Sequence, residues 1–368
     1  MFVGITNTPR DYAWGSTTAI SSLLGTPASG GPEAELWLGA HPGSPSVLAD
    51  GSGDLRGLVG ELPFLLKVLA AAHPLSLQAH PTIEQAIAGF ARENEQGIPL
   101  DAANRNYKDE LHKPELIFAL SDSFRALCGF RAVSSTRASI ERLQQAVPGD
   151  AALAGLSGRL TTDDAIRPCF EWLVSRGDGV AELVDAVVAG AALLDGPHFT
   201  LIGELAEEYP GDPGIVVSLL LNLVTLSRGE VLYLPAGNIH AYVEGLGIEL
   251  MASSDNVLRG GLTPKHVDVP ELLSVLDFTP GPVPYLAGIP QAPGLTVFRP
   301  AVPDFELLHV TGDATLPLRA SAIALCTSGS FTLGSFTLNR GESVYISADE
   351  APVSVTGEGE LFVATSRG

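Results

Sequence analysis

In the first 80 positions, apolar residues come in short runs, AELWLGAH, PSVLAD and LPFLLKVLA, separated by Gly- and Pro-rich stretches. Runs of this length between turn residues predict strands. The stretch FLLKVLAAAHPLSLQAH ends in a polar alternation. Ser76, Gln78 and His80 fall two apart and so share one face of an extended chain. Residues 83–97, IEQAIAGFARENEQG, carry helical spacing, and PELIFALSD and FRALCGFRAV return to strands or short turns. From Ser134 to about Ser227 the period changes again. STRASIERLQQAV, DDAIRPCFEWLVS, VAELVDAVVAGAALL, FTLIGELAEEY and GIVVSLLLNLVTL read as amphipathic or buried helices, often opened by Ser, Thr or Asp caps. From Arg228 onward the alternation is that of strands. The expected fold is therefore mainly β with an inserted α-helical domain.

The β regions contain an echo. RGEVLYLPAGNIHAYVEG begins at Arg228 and RGESVYISADEAPVSVTG at Arg340, and an offset of 112 residues aligns them without a gap. This predicts two related β-barrel modules. Pro352 matches His240, so only the first module keeps that histidine. The expected divisions are 1–133 and 228–285 for the first module, 134–227 for the helical insertion and 286–368 for the second module.

GEVLYLPAGNIHAY fits the spacing G-x5-P-x-G-x2-H, with Gly229, Pro235, Gly237 and His240. It resembles a motif of the cupin family of small antiparallel jelly-roll barrels. The local logic is a strand end, a tight turn shaped by Pro235 and Gly237, and a histidine on the next strand. In a cupin, metal ligands come from neighbouring strands. Gln78 and His80 supply a pair on one face, and Glu115 opens the apolar run after HKP. Pro114 favours extended backbone at Lys113, which then faces roughly the same side as Glu115. The candidate metal set is Gln78, His80, Glu115 and His240. Two imidazoles, a carboxylate and an amide oxygen suit zinc with an open position; manganese, cobalt or iron(II) would also accept these donors. His41, His73 and His112 are rival ligands, His112 one residue out of phase with Glu115. In GIELMASSDNVLRGGLTPKHVD, Glu249 lies in a strand, and Asp255, Arg259 and Lys265 follow in a segment able to hold a phosphate.

Composition narrows the class. The net charge is −21 over 368 residues, which argues against nucleic acid and anionic membrane surfaces as partners. Lysine is confined to Lys67, Lys108, Lys113 and Lys265, so an anionic substrate needs positive charge gathered locally. Cys128, Cys169 and Cys326 are far apart and are expected to be reduced, buried thiols. No signal peptide is read at the start, and GIVVSLLLNLVTLSRGE falls short of a membrane span. A soluble, cytoplasmic protein is expected, as a monomer or weak homodimer.

YAWGS, AELWLGAHP, PFLLKVLAAAHPLSLQAHP, NYKDELHKPELIFAL, ALCGFR and LPAGNIHAYVEGLGIELMASSDNVLRGGLTPKHVD occur in this order. Together they resemble the type I mannose-6-phosphate isomerases, from Tyr12 to about Glu271. The resemblance implies a cupin architecture with a helical insertion, and zinc-dependent interconversion of mannose 6-phosphate and fructose 6-phosphate. It implies one zinc per chain, held by Gln78, His80, Glu115 and His240. It also implies a pocket of Trp14, Lys67, Ser76, Lys113, Tyr242, Glu249, Asp255, Arg259 and Lys265. Ala13 and Leu111 depart from the family pattern, at the pocket rim only. The reaction expected is proton transfer through a cis-enediol, with Glu249 as first choice of base and Lys113 as second. Arg259 would stabilise negative charge, Lys265 and Ser76 would take the phosphate, Lys67 would support the field, and Asp255 would assist ring opening. The rivals are a non-catalytic sugar-phosphate or metal-binding cupin, and an iron-dependent oxygenase. The oxygenase would want more histidines than this set has.

Overall fold

In the computed structural model, which describes residues 1–367, the chain is mixed α/β, and every pairing between named strands is antiparallel among the described residues. A nine-stranded sheet has the order Leu258–Gly261, Leu77–Ala79, His240–Ala252, Phe64–Ala71, Glu35–Leu38. Glu115–Ala119 and Phe124–Phe130 also pair with the long strand His240–Ala252, and they pair in turn with Val231–Leu234 and Leu221–Leu226. A ten-stranded sheet holds the C-terminal strands from Ile289 onward. It also recruits Phe2–Thr6, whose residues pair with Ser343–Ile346, and through it Val47–Leu48. The segment expected to open the first module thus lends two strands to the second sheet. Ile5, on the first of them, is buried in the core the two sheets share.

Alternation explains how the two sheets meet. Phe64, Leu66, Val68 and Ala70 face the second sheet, as do Leu116, Phe118, Ile248 and Leu250, where they pack on Phe298, Phe305, Leu325 and Phe362. The opposite residues on the same strands, Lys67, Leu69, Glu115, Glu249 and Met251, face a cavity inside the first sheet. On the other half of that sheet, Leu77, Ala79, Leu127, Ile239 and Ala241 turn outward onto the helices. Burial of these side chains, at roughly 1.5–3 kcal/mol each, fixes the strand registers.

Five of the longer helices lie between Phe130 and Leu221, Val133–Ala146, Ala151–Arg159, Ile166–Val174, Val180–Ala191 and Pro197–Glu208, while the expected helix Ile83–Glu95 lies outside that stretch. Ala151–Arg159 was not expected from the apolar period. Asp150 caps it, its carboxylate accepting from the Leu153 N–H at 2.9 Å. The helix expected over GIVVSLLLNLVTL is corrected. Only Gly214–Val217 is α-helical, Ser218–Leu220 is a 3₁₀ turn, and Leu221–Leu226 is a strand against Phe124–Phe130. The Asn222 amide donates to the Cys128 carbonyl at 3.2 Å and the Gly281 carbonyl at 3.1 Å, which ties this stretch to the sheet edge. An all-apolar run does not distinguish a buried strand from a buried helix; a waiting partner strand decides it.

The echo is topological. Val231–Leu234 and Ser343–Ile346 each precede a 13-residue strand, His240–Ala252 and Val353–Thr365. Both short strands reach their long one through an intervening strand, Glu115–Ala119 in one sheet and Ala322–Leu333 in the other. The long strand of the second sheet starts at Val353, one residue after Pro352, the position aligned with His240. The three cysteines are buried and unpaired, and burial raises each thiol pKa, to about 12, 12 and 11 for Cys128, Cys169 and Cys326. No described helix is long and apolar enough to cross a membrane.

Candidate active site

The site is built on cross-strand pairs. Gln78 stands opposite His240 on one side and Arg259 on the other. Lys67 stands opposite Trp37 and Glu249, and Glu115 opposite Met251. These rows converge on a cavity of about 860 Å³.

Glu115 lines this cavity and belongs to a buried cluster with His80 and His240, whose ligand atoms all lie within 4.8 Å of one another. The Nε2 atoms of His80 and His240 each lie 3.2 Å from a different oxygen of Glu115. His80 Nε2 and Glu115 Oε2 nevertheless lack an aligned hydrogen-bond partner. Their other atoms are fixed: His80 Nδ1 lies 2.8 Å from the Asn256 carbonyl, and His240 Nδ1 3.0 Å from that of Asn238. Each backbone carbonyl calls for a proton on Nδ1 and leaves Nε2 as a lone-pair donor, the arrangement a metal-binding imidazole requires. Gln78 Nε2 lies 3.4 Å from His240 Nε2. A half-turn of the amide puts its oxygen there instead.

Charge states agree with a cation in this place. Burial lowers the His80 pKa to about 4, so its ring is neutral at pH 7. Burial alone would raise the Glu115 pKa, but Lys113, with Nζ 3.1 Å away, and His80 hold the carboxyl well below the usual range. The neutral His80 ring, the Glu115 carboxylate and the His240 imidazole beside them, with orphaned atoms on His80 and Glu115, fit a divalent metal.

All nine expected pocket residues, Trp14, Lys67, Ser76, Lys113, Tyr242, Glu249, Asp255, Arg259 and Lys265, line this cavity, and so does Lys108. Every lysine of the chain therefore borders it. With Arg259 they make five cationic side chains, matched by the five carboxylates of Glu35, Asp101, Glu115, Glu249 and Asp255. Lys67 Nζ lies 2.8 Å from Glu249 and 3.5 Å from Glu35. Burial and the neighbouring Glu115 and Glu35 raise the Glu249 pKa against the pull of Lys67. Burial also raises Tyr242, helped by Glu249, and lowers Arg259.

The rival histidines lie elsewhere. His112 pairs with Asp304 at 3.0 Å, and His73 faces Glu208 at 3.5 Å near the surface. His41 is buried edge-on to Trp37, with Nε2 3.4 Å from Asp255. Glu35, Trp37 and Asn256 are not singled out as site residues by the sequence. Glu35 and Trp37 were readable in principle: they share the odd face of AELWLGAH, and the Trp37 indole N–H donates to Glu35 at 2.8 Å.

A buried cluster of three metal-ligand side chains beside a lysine-lined cavity in an antiparallel sheet fits a metal-dependent enzyme. The type I phosphomannose isomerase catalytic domain matches residues 53–133. The mannose-6-phosphate isomerase of Escherichia coli K12 is 41% identical over 386 residues, covering 96% of this chain and 97% of that one. A zinc-bound mannose 6-phosphate isomerase crystal structure superposes with TM-score 0.91 at 36% identity, and a mutant phosphomannose isomerase from Salmonella typhimurium with TM-score 0.92 at 36%, each over the full length of both chains. The chain belongs to the type I mannose-6-phosphate isomerases.

Proposed function

We propose that this chain interconverts mannose 6-phosphate and fructose 6-phosphate with one zinc ion, held by Gln78, His80, Glu115 and His240. The observation that carries this is a single cavity. Glu115 of the His80–Glu115–His240 cluster lines it together with Gln78, Glu249, Arg259 and Lys265. A zinc ion there supplies Lewis acidity toward the sugar oxygens, stabilising negative charge as it develops. Gln78 is a neutral donor, so the ligand set adds only one negative charge, that of Glu115.

Isomerisation moves a proton between C1 and C2 through a cis-enediol. Glu249 takes and returns that proton. Its raised pKa brings a carboxylate nearer the operating pH, where a general base works best. Lys113 is the alternative; its ammonium is engaged with Glu115 at 3.1 Å, which argues for a charge-holding role. Arg259 faces the developing enediolate. Ser76 and Lys265 receive the phosphate, and Asp255, backed by His41, serves ring opening. The cavity's five cationic and five anionic side chains balance, so a divalent metal and a dianionic phosphate enter as a compensating pair.

The fold reading that goes with this takes the two sheets as cupin-type modules around a helical insertion, with divisions near 133 and 285 and the expected division at 227 moved to about 220, because Leu221–Leu226 is a strand of the sheet. It is supported by the repeated short-strand, long-strand pairing. A coupled assay for fructose 6-phosphate formed from mannose 6-phosphate tests the activity. Absence of turnover by zinc-loaded protein would overturn it.

A further inference from the structure

One short turn, Tyr209 to Gly214, near the end of the helical insertion, borders the cavity through Tyr209 and holds the segments that carry Ser76 and Lys265. Asp212 is buried, and its Oδ1 accepts two backbone N–H groups, Gly214 at 2.7 Å and Leu262 at 3.0 Å. Leu262 is buried and holds a left-handed backbone with φ 53°. A leucine pays for that conformation, so something must hold it there. The neighbouring backbones leave no room to relax: a Cβ on Gly214 would come within 2.8 Å of the Leu262 nitrogen. The bend at Leu262 directs Thr263, Pro264 and Lys265 into the cavity. Three residues before Asp212, the Tyr209 hydroxyl donates to the Pro74 carbonyl at 2.7 Å, two residues from Ser76. One turn thus ties both segments that carry the phosphate candidates.

We infer that Asp212 and Tyr209 are positioning residues: the helical insertion uses this turn to set Lys265 and Ser76 at the spacing a phosphate requires. The inference rests on the reading of Lys265 and Ser76 as the phosphate end. Neither residue's hydrogen bond reaches the metal cluster, so their loss acts on phosphate binding and leaves the metal in place.

The test compares Asp212→Ala, Asp212→Asn, Tyr209→Phe and Lys265→Ala in zinc-loaded protein, reading KM and kcat for mannose 6-phosphate, inhibition by inorganic phosphate, and bound zinc. A hydrogen bond from a backbone N–H to a carboxylate is worth enough to shift binding by about tenfold or more. Asp212→Ala is expected to raise KM and the phosphate inhibition constant together by about tenfold, with kcat and zinc content little changed. Asp212→Asn keeps an accepting oxygen and is expected to recover most of that loss. Tyr209→Phe removes one hydroxyl and keeps the ring, so it tests the same idea if Asp212→Ala does not fold, with a smaller rise in both constants. Lys265→Ala raising both constants while Asp212→Ala and Tyr209→Phe leave them unchanged would overturn the inference alone. No effect of Lys265→Ala would overturn the phosphate assignment and the inference with it.

Discussion

Lys67 and Glu249 form a buried pair, ammonium to carboxylate at 2.8 Å, on adjacent strands in direct register. Burial, Glu115 and Glu35 push the Glu249 carboxyl up, and Lys67 pulls it back. A base must be deprotonated, so kcat/KM falls as pH drops through the raised Glu249 value. Removing Lys67 removes the charge that favours the carboxylate. In Lys67→Met, the acid limb of the kcat/KM profile is therefore expected to move to higher pH. An unmoved limb, or one moved to lower pH, would separate Glu249 from the pH-controlling step.

Glu249→Gln keeps size and hydrogen bonding but cannot take a proton. It is expected to lower kcat by about 10²–10⁴-fold and to abolish exchange of the substrate C2 hydrogen with solvent. Bound zinc should be unchanged. NMR in deuterated water reads the exchange directly; exchange at the wild-type rate assigns the base to Lys113.

Gln78→Glu asks whether a neutral donor matters. The variant places a second negative charge beside Glu115, so metal should be retained. Its charge is more fully quenched, and kcat should fall by roughly 10- to 100-fold, the range produced when a metal's surroundings are altered. Loss of metal together with activity would instead mean that residue 78 acts by shape.

Protein stripped of metal should lose stability on acidification. An unfolded histidine protonates near 6.5, while buried His80 does so only near 4, so the unfolded chain binds more protons between these values. Stability drops as pH falls through that window, by about 3 kcal/mol for His80 alone. Glu115, whose folded pKa is depressed, adds a loss of the same sign as pH falls below its unfolded value near 4.5. The urea midpoint of stripped wild type, measured from about pH 7 to about pH 4, should fall more steeply toward the acid end than that of His80→Gln. Parallel curves would contradict the assignment.

Much of this site was legible because alternation carries it. Ser76, Gln78 and His80 share a face, Lys113 and Glu115 share another, and all five meet where two-residue periodicity puts them. Alternation alone, however, sets His240 and Glu249 on opposite faces, nine positions apart on one strand. The structure resolves this with a register shift between Tyr242 and Glu244, followed by Gly245 at φ 138°. A Cβ on Gly245 would lie 2.6 Å from the Phe124 ring, so this bend needs glycine. Asn256 was missed for a different reason: its carbonyl, not its side chain, orients His80, and any residue type has a carbonyl. His41 was weighed as a ligand, and only the fold shows that its partner is Asp255. The strand at Leu221–Leu226 was hidden because an apolar run carries no period to read.

The most direct measurement removes metal from the wild-type chain with a chelator and titrates zinc back while recording bound metal and fructose 6-phosphate formation. Activity lost on chelation and recovered in proportion to zinc, with a break at one ion per chain, is the predicted result. Full turnover of mannose 6-phosphate by protein carrying no metal would contradict the account at its centre.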